Sequence, residues 1–127
     1  MNKKILYIED NAQNLYLVTY ILEKNGYEVV GARDGQEGIA AASRELPALI
    51  LLDIQLPGMD GYTVARKLRD KPELVGIPIV AVTSYAMVGD RERALGAGCT
   101  GYIEKPINPE TFLTQIERHL PSGGPLP

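Results

Sequence analysis

Five short apolar runs punctuate this chain, and a segment with helical spacing follows each of them. The runs KILYI (4–8), EVVGA (28–32), ALILL (48–52), PIVAV (78–82) and GYIE (101–104) are rich in Ile, Val and Leu and mostly lack polar alternation. Strands buried on both faces read this way, so the pattern predicts five parallel strands. Asn11 is placed to cap a first helix whose Leu17, Val18, Ile21 and Leu22 form one stripe, widened by Leu15 and Tyr16 and stopped by Asn25–Gly26. A second helix is expected from about Gly35 to Glu45, ended by Pro47, and a third from about Gly61 to Asp70, with Pro72 and Pro78 bracketing the loop beyond it. The fourth, GDRERALGAG, carries its charges on one side and closes at Gly96 or Gly98. The last, NPETFLTQIERHL, is expected to open with Asn108 as N-cap and Pro109 at its first position. Phe112, Leu113, Ile116 and Leu120 then give it an apolar face.

Strand then helix, five times over, implies the α/β class: a doubly wound five-stranded parallel sheet with helices on both faces, as in flavodoxin-like folds. Its ligand site belongs outside the carboxyl ends of the strands, where strand order reverses. At 127 residues the chain makes one domain, expected over residues 1–120. The tail PSGGPLP (121–127) has no periodicity and reads as a disordered end or a linker stump.

Composition narrows the classes of function. A net charge of −3 argues against a nucleic-acid binder, which needs a basic face. The single cysteine, Cys99, cannot form an internal disulfide or a thiolate metal site, and reads as a small packed residue. The apolar run near the start, Ile5 to Ile8, is too short for the core of a signal peptide. The longest uncharged stretch, Leu74 to Gly89, is broken by Pro78 and polar residues, so no membrane span is expected. These readings favour a cytoplasmic protein with neither nucleic-acid nor membrane partners.

Candidate chemistry stands at the strand ends. Glu9 and Asp10 follow the first run, Asp53 the third, Thr83 and Ser84 the fourth, and Lys105 and Pro106 the fifth. Each has an ordinary reading taken singly: acids cap helices, Asp53 orders a turn, Thr83 caps the fourth helix, Lys105 is a solvated cation. Together they place three acids, a hydroxyl and an ammonium on the one sheet edge where a site must lie. Crowded carboxylates repel unless a cation joins them, and an oxygen-only donor set favours a hard ion such as Mg²⁺. An opposed lysine and hydroxyl suit phosphoryl oxygens, and a carboxylate can carry a phosphoryl group covalently.

YIEDN (7–11), LLDIQLPGMDG (51–61), VAVTSYAM (80–87) and GYIEKPI (101–107), in this order and spacing, resemble the receiver domain of two-component response regulators. The resemblance covers about residues 3–120 and is nearest to small stand-alone receivers. It implies that Asp53 takes a phosphoryl group from a sensor histidine kinase or a histidine phosphotransfer protein. It also implies that Glu9, Asp10, Asp53 and the backbone carbonyl of Gln55 hold Mg²⁺, and that Thr83 and Lys105 contact the phosphoryl. Tyr102 is implied as an aromatic that swings inward with Thr83 on activation, and Pro106 as a proline following a cis peptide bond. Such a domain signals to a downstream protein, expected on the face of the fourth helix, fifth strand and fifth helix. It is not an enzyme beyond assisting its own phosphorylation and dephosphorylation.

Three alternatives stand beside this reading. A flavodoxin-type cofactor binder would meet repulsion between its ligand's phosphate and Glu9–Asp10. A Mg-dependent phosphatase with an aspartyl-phosphate intermediate would want a second acid two residues after its nucleophile, where this chain has Gln55. The chain also fits the excised N-terminal receiver of a larger regulator or hybrid kinase. Of seven tyrosines only Tyr102 receives a mechanistic role, with Tyr85 and Gln55 flanking the phosphoryl group; Tyr62 is left as surface or core. His119 is assigned to the carbonyls of the last helix or to solvent.

Overall fold

The structure is a computed structural model and describes residues 3–84 and 89–120. Strands β1 (Lys4–Ile8), β2 (Glu28–Ala32), β3 (Leu49–Asp53), β4 (Ile79–Thr83) and β5 (Gly101–Glu104) alternate with helices α1 (Ala12–Lys24), α2 (Gly35–Glu45), α3 (Gly61–Arg69), α4 (Asp90–Gly96) and α5 (Phe112–His119). A short 3₁₀ turn, Pro72–Leu74, precedes β4. All strand pairs are parallel, in the order β2-β1-β3-β4-β5. The order reverses between β1 and β3, so their carboxyl ends flank the crevice where such sheets take ligands.

Strand alternation splits the interior into two cores. Leu6, Ile8, Ile50, Leu52, Ile79 and Ala81 pack with Ala41 and Ala42 of α2, Val64 and Leu68 of α3 and Ala94 of α4. Ile5, Tyr7, Leu49, Leu51, Val80 and Val82 pack on the opposite face with Val18 and Leu22 of α1 and Phe112 and Ile116 of α5. Because helices cover both faces, β3 and β4 are buried at every position, which explains their unbroken apolar runs. Edge strand β2 is half exposed.

Local chemistry sets the helix ends. The Asn11 side chain accepts from the Asn14 amide at 2.9 Å, capping α1 as its sequence predicts. Asp34 caps α2 by accepting from the Glu37 amide at 2.8 Å, and Glu37 reciprocates from the Arg33 amide at 2.7 Å. Asp60 caps α3 through the Thr63 amide. At α5 the structure corrects the sequence reading. Asn108 and Pro109 belong to a preceding turn, in which the Thr111 and Phe112 amides donate to the Asn108 carbonyl; helical residues begin at Phe112. The His119 ring, near the end of α5, is half-buried against Gly101, where a Cβ would collide with it. Burial pushes its pKa below the ordinary histidine value, with a smaller push from Arg118.

Gly61 locks the β3–α3 connection beneath the sheet edge. Its amide donates to the Ile54 carbonyl at 2.9 Å, and an added Cβ would meet the Ile54 Cα and lie 2.8 Å from the Asp53 carbonyl oxygen. Backbone cannot rotate away as a flexible side chain can. Gly61→Ala is therefore expected to cost about 1–3 kcal/mol in urea unfolding, the range for overpacking; a loss under about 0.5 kcal/mol, ordinary for surface changes, would contradict this account.

Candidate functional site at the carboxyl edge of the sheet

Register brings the strand-end residues together. Ile8 pairs with Leu52 and Asp53 with Val82, so Glu9 and Asp53 leave adjacent strands at the same level, and Thr83 extends one residue further. Asp53 and Thr83 are the last residues of their strands rather than the first of the following loops. Glu9, Asp53 and Thr83 are all buried, at 1%, 2% and 3% exposure, whereas Asp10 faces solvent. A carboxylate oxygen from each of Glu9, Asp10 and Asp53 lies within 4.8 Å of the others.

Lys105 holds this edge together. Its Nζ lies 2.9 Å from Glu9 Oε1 and 3.4 Å from Asp53 Oδ2. Its backbone amide donates to the Thr83 carbonyl at 2.7 Å, and the Lys105–Pro106 peptide is cis. Asp53 Oδ1 accepts from the Gln55 amide at 2.9 Å. Glu9 Oε1 accepts from the Tyr7 hydroxyl at 2.6 Å, and Oε2 from the Asn11 amide at 3.3 Å.

Charge is unevenly shared between the two buried acids. Burial pushes Asp53 up to about 6; a hydrogen bond shared with Glu9 and Glu9's charge add to this, against the Gln55 amide and Lys105. Burial opposes the charge on Glu9 too, yet hydrogen bonds from Asp53, Tyr7 and Lys105, with the lysine's charge, hold its pKa below the usual carboxylate range. Three carboxylates against one ammonium leave an excess of negative charge. The donor set is oxygen-only and close enough to converge, which fits a hard divalent cation such as Mg²⁺.

Tyr102 is half-buried on β5, opposite Ala81 of β4, on the α2–α4 side of the sheet, the side Thr83 takes by strand alternation. Gln55 Oε1 accepts from the Ser84 hydroxyl at 3.1 Å, tying together the two loops beside Asp53. Tyr62 is core, 8% exposed, with the Arg93 guanidinium 4.3 Å above its ring. Cys99 is buried and its thiol is pushed up to about 11, chiefly by burial. Tyr85 and the 121–127 tail lie outside the described residues. Sequence reasoning missed Tyr7. The available signal was a phenol in an aliphatic strand, two residues before Glu9 and so on the same face.

Comparison with known proteins agrees with this geometry. The family model for the response regulator receiver domain matches residues 5–117. The polar-differentiation response regulator DivK of Brucella ovis is 42% identical over 120 residues, covering 94% of this chain and 98% of that protein. The chemotaxis protein CheY4 of Vibrio cholerae superposes with a TM-score of 0.90 at 30% identity, over 94% of this chain and all of that one. The receiver domain of a sensor histidine kinase from Pseudomonas aeruginosa has a TM-score of 0.85 at 34% identity, over 94% and 98% of the two chains; that structure has a magnesium ion coordinated in its active-site cleft.

Proposed function

This chain belongs to the response regulator receiver domain family, and from that premise we propose that Asp53 accepts a phosphoryl group from a phosphohistidine on a kinase or phosphotransfer protein. The observation carrying the proposal is Asp53 itself: a buried carboxylate at the end of a rigid strand, between an ammonium and two further acids. In the transfer a carboxylate oxygen of Asp53 attacks phosphorus. The phosphorus–nitrogen bond breaks, and its electron pair returns to the donor's imidazole. Attack requires the ionised carboxylate, which predominates at neutral pH with a pKa of about 6. The Gln55 amide on Oδ1 fixes the carboxylate plane, the kind of positioning on which phosphoryl transfer depends.

Glu9, Asp10, Asp53 and the Gln55 carbonyl are the groups proposed to hold Mg²⁺, which when bound neutralises charge on the acids and the phosphoryl oxygens. Lys105 is within a small displacement of the Asp53 oxygen that the phosphoryl would extend, and Thr83 closes the site from β4. An inward shift of the Thr83 hydroxyl towards a phosphoryl oxygen frees space on the side of the sheet shared with Tyr102. We assign partner binding to the surface of α4, β5 and α5, where that shift is felt. Coupling of about 1–3 kcal/mol, typical of allosteric linkage, changes partner affinity roughly 5- to 150-fold. The phosphatase reading is weaker, since the amide of Gln55 cannot serve as a general acid. None of the described helices is long and apolar enough to cross a membrane, and a cytoplasmic setting with residues 1–120 as the working unit completes the proposal.

The experiment is a Mg²⁺ titration followed by amide chemical shifts. Residues 9–11 and 53–56 move first in the wild-type chain, and Asp10→Ala weakens binding at least about tenfold, because it removes a carboxylate ligand. An unchanged titration in that variant would show that the cation binds elsewhere.

A further inference from the structure

Tyr7 sits in the middle of the buried sheet, fully enclosed, with its ring in the core beneath α1 and α5 and its hydroxyl 2.6 Å from Glu9 Oε1. Phenylalanine would fill the same core volume and satisfy every apolar contact there. The hydroxyl is the one polar atom of this side chain, and its place in the core is justified by the carboxylate it meets. The opposing residue on β2 is Gly31.

Of the side chains that bond Glu9, Tyr7 and Lys105 both meet Oε1, and these two differ in freedom. Lys105 is shared, reaching Glu9 at 2.9 Å and Asp53 at 3.4 Å, and it ends a flexible stem. A phosphoryl group at Asp53 would draw that ammonium toward its own oxygens. The Tyr7 hydroxyl stays, because its ring is packed on all sides and turns on only two torsions. With Oε1 held by Tyr7, the carboxylate keeps its plane while the lysine is redirected.

We infer that Tyr7 is a positioning residue for the cation site, fixing the Glu9 carboxylate through its hydroxyl independently of Lys105. This rests on the proposed reading of Glu9 as a Mg²⁺ ligand. Partners that orient metal ligands typically change affinity 10- to 100-fold when removed.

The test compares Mg²⁺ titrations of the wild type, Tyr7→Phe and Tyr27→Phe, each followed by amide shifts and by the carboxyl carbon resonance of Glu9. Tyr27 is the matched control: its hydroxyl also donates to a carboxylate, Glu117 Oε2 at 2.9 Å, away from the acidic cluster. Tyr7→Phe is expected to weaken Mg²⁺ binding about tenfold and to shift the Glu9 carboxyl line before any metal is added, with Tyr27→Phe unchanged in both. Wild-type affinity in Tyr7→Phe would overturn the inference while leaving the acidic site standing. Equal weakening in both variants would overturn it too, since a general loss of packing would then explain the effect. Absence of saturable binding in the wild type would remove the cation site and the inference together.

Discussion

Replacing Asp53 with asparagine abolishes phosphoryl uptake and, in metal-free buffer at neutral pH, makes the protein more stable. The first effect is chemical: an amide of nearly the same shape is a poor nucleophile, so labelling by a small acyl phosphate falls to background. The second follows from linkage. The folded protein raises the Asp53 pKa from 3.8 to about 6, so it binds that proton more tightly than the unfolded chain. Stability therefore falls as pH rises through that window, and the loss is complete at neutral pH. Asparagine has no such window. Its amide can still donate to Glu9, so the expected gain is about 1–3 kcal/mol in urea unfolding, a tenfold change in proton affinity being worth about 1.4 kcal/mol. The gain disappears in acid, below the unfolded pKa. Most substitutions of a buried residue destabilise; a loss of stability here would mean that the acids at this edge are not in electrostatic excess.

Lys105→Met should act with the opposite sign. Methionine keeps most of the stem's length and apolar packing but leaves Glu9 and Asp53 buried without their cation. Removing one partner of a buried ion pair costs about 3–5 kcal/mol. Asp53 can take up a proton in response, which limits the expected loss to about 2–4 kcal/mol in metal-free buffer. Mg²⁺ replaces the missing positive charge, so it should stabilise the variant more than the wild type, as a ligand that binds the folded state does. Urea unfolding with and without Mg²⁺ measures both effects. Equal stabilisation of the two proteins by Mg²⁺ would mean that lysine and metal do not share the same carboxylates.

The opposite signs expected for Asp53 and Lys105 explain why much of the site could be read from the sequence. Buried carboxylates at the ends of apolar strands reduce stability unless a cation compensates, so their clustering with one lysine on one edge stands out. The strands were equally plain, since helices on both faces require apolar residues at consecutive positions in β3 and β4. What escaped was one local turn and several contacts between distant segments. Asn108 and Pro109 carry a helix-start pattern, yet the chain makes a turn there and begins α5 at Phe112. His119 near the end of α5 packs against Gly101 at the start of β5, a contact no local pattern encodes. Tyr7 reads as one more core residue until the structure brings its hydroxyl to Glu9. The Ser84–Gln55 hydrogen bond likewise joins loops 29 residues apart.

The most direct measurement on the central claim is to locate the phosphoryl group. The wild-type chain is incubated with a small acyl phosphate, with Mg²⁺ or with a chelator, then digested and mapped by mass spectrometry. A single phosphoryl group on the peptide containing Asp53, labile to hydroxylamine and formed only with Mg²⁺, is the result this account predicts. A phosphoryl group on another residue, or the same yield in the presence of chelator, would contradict it.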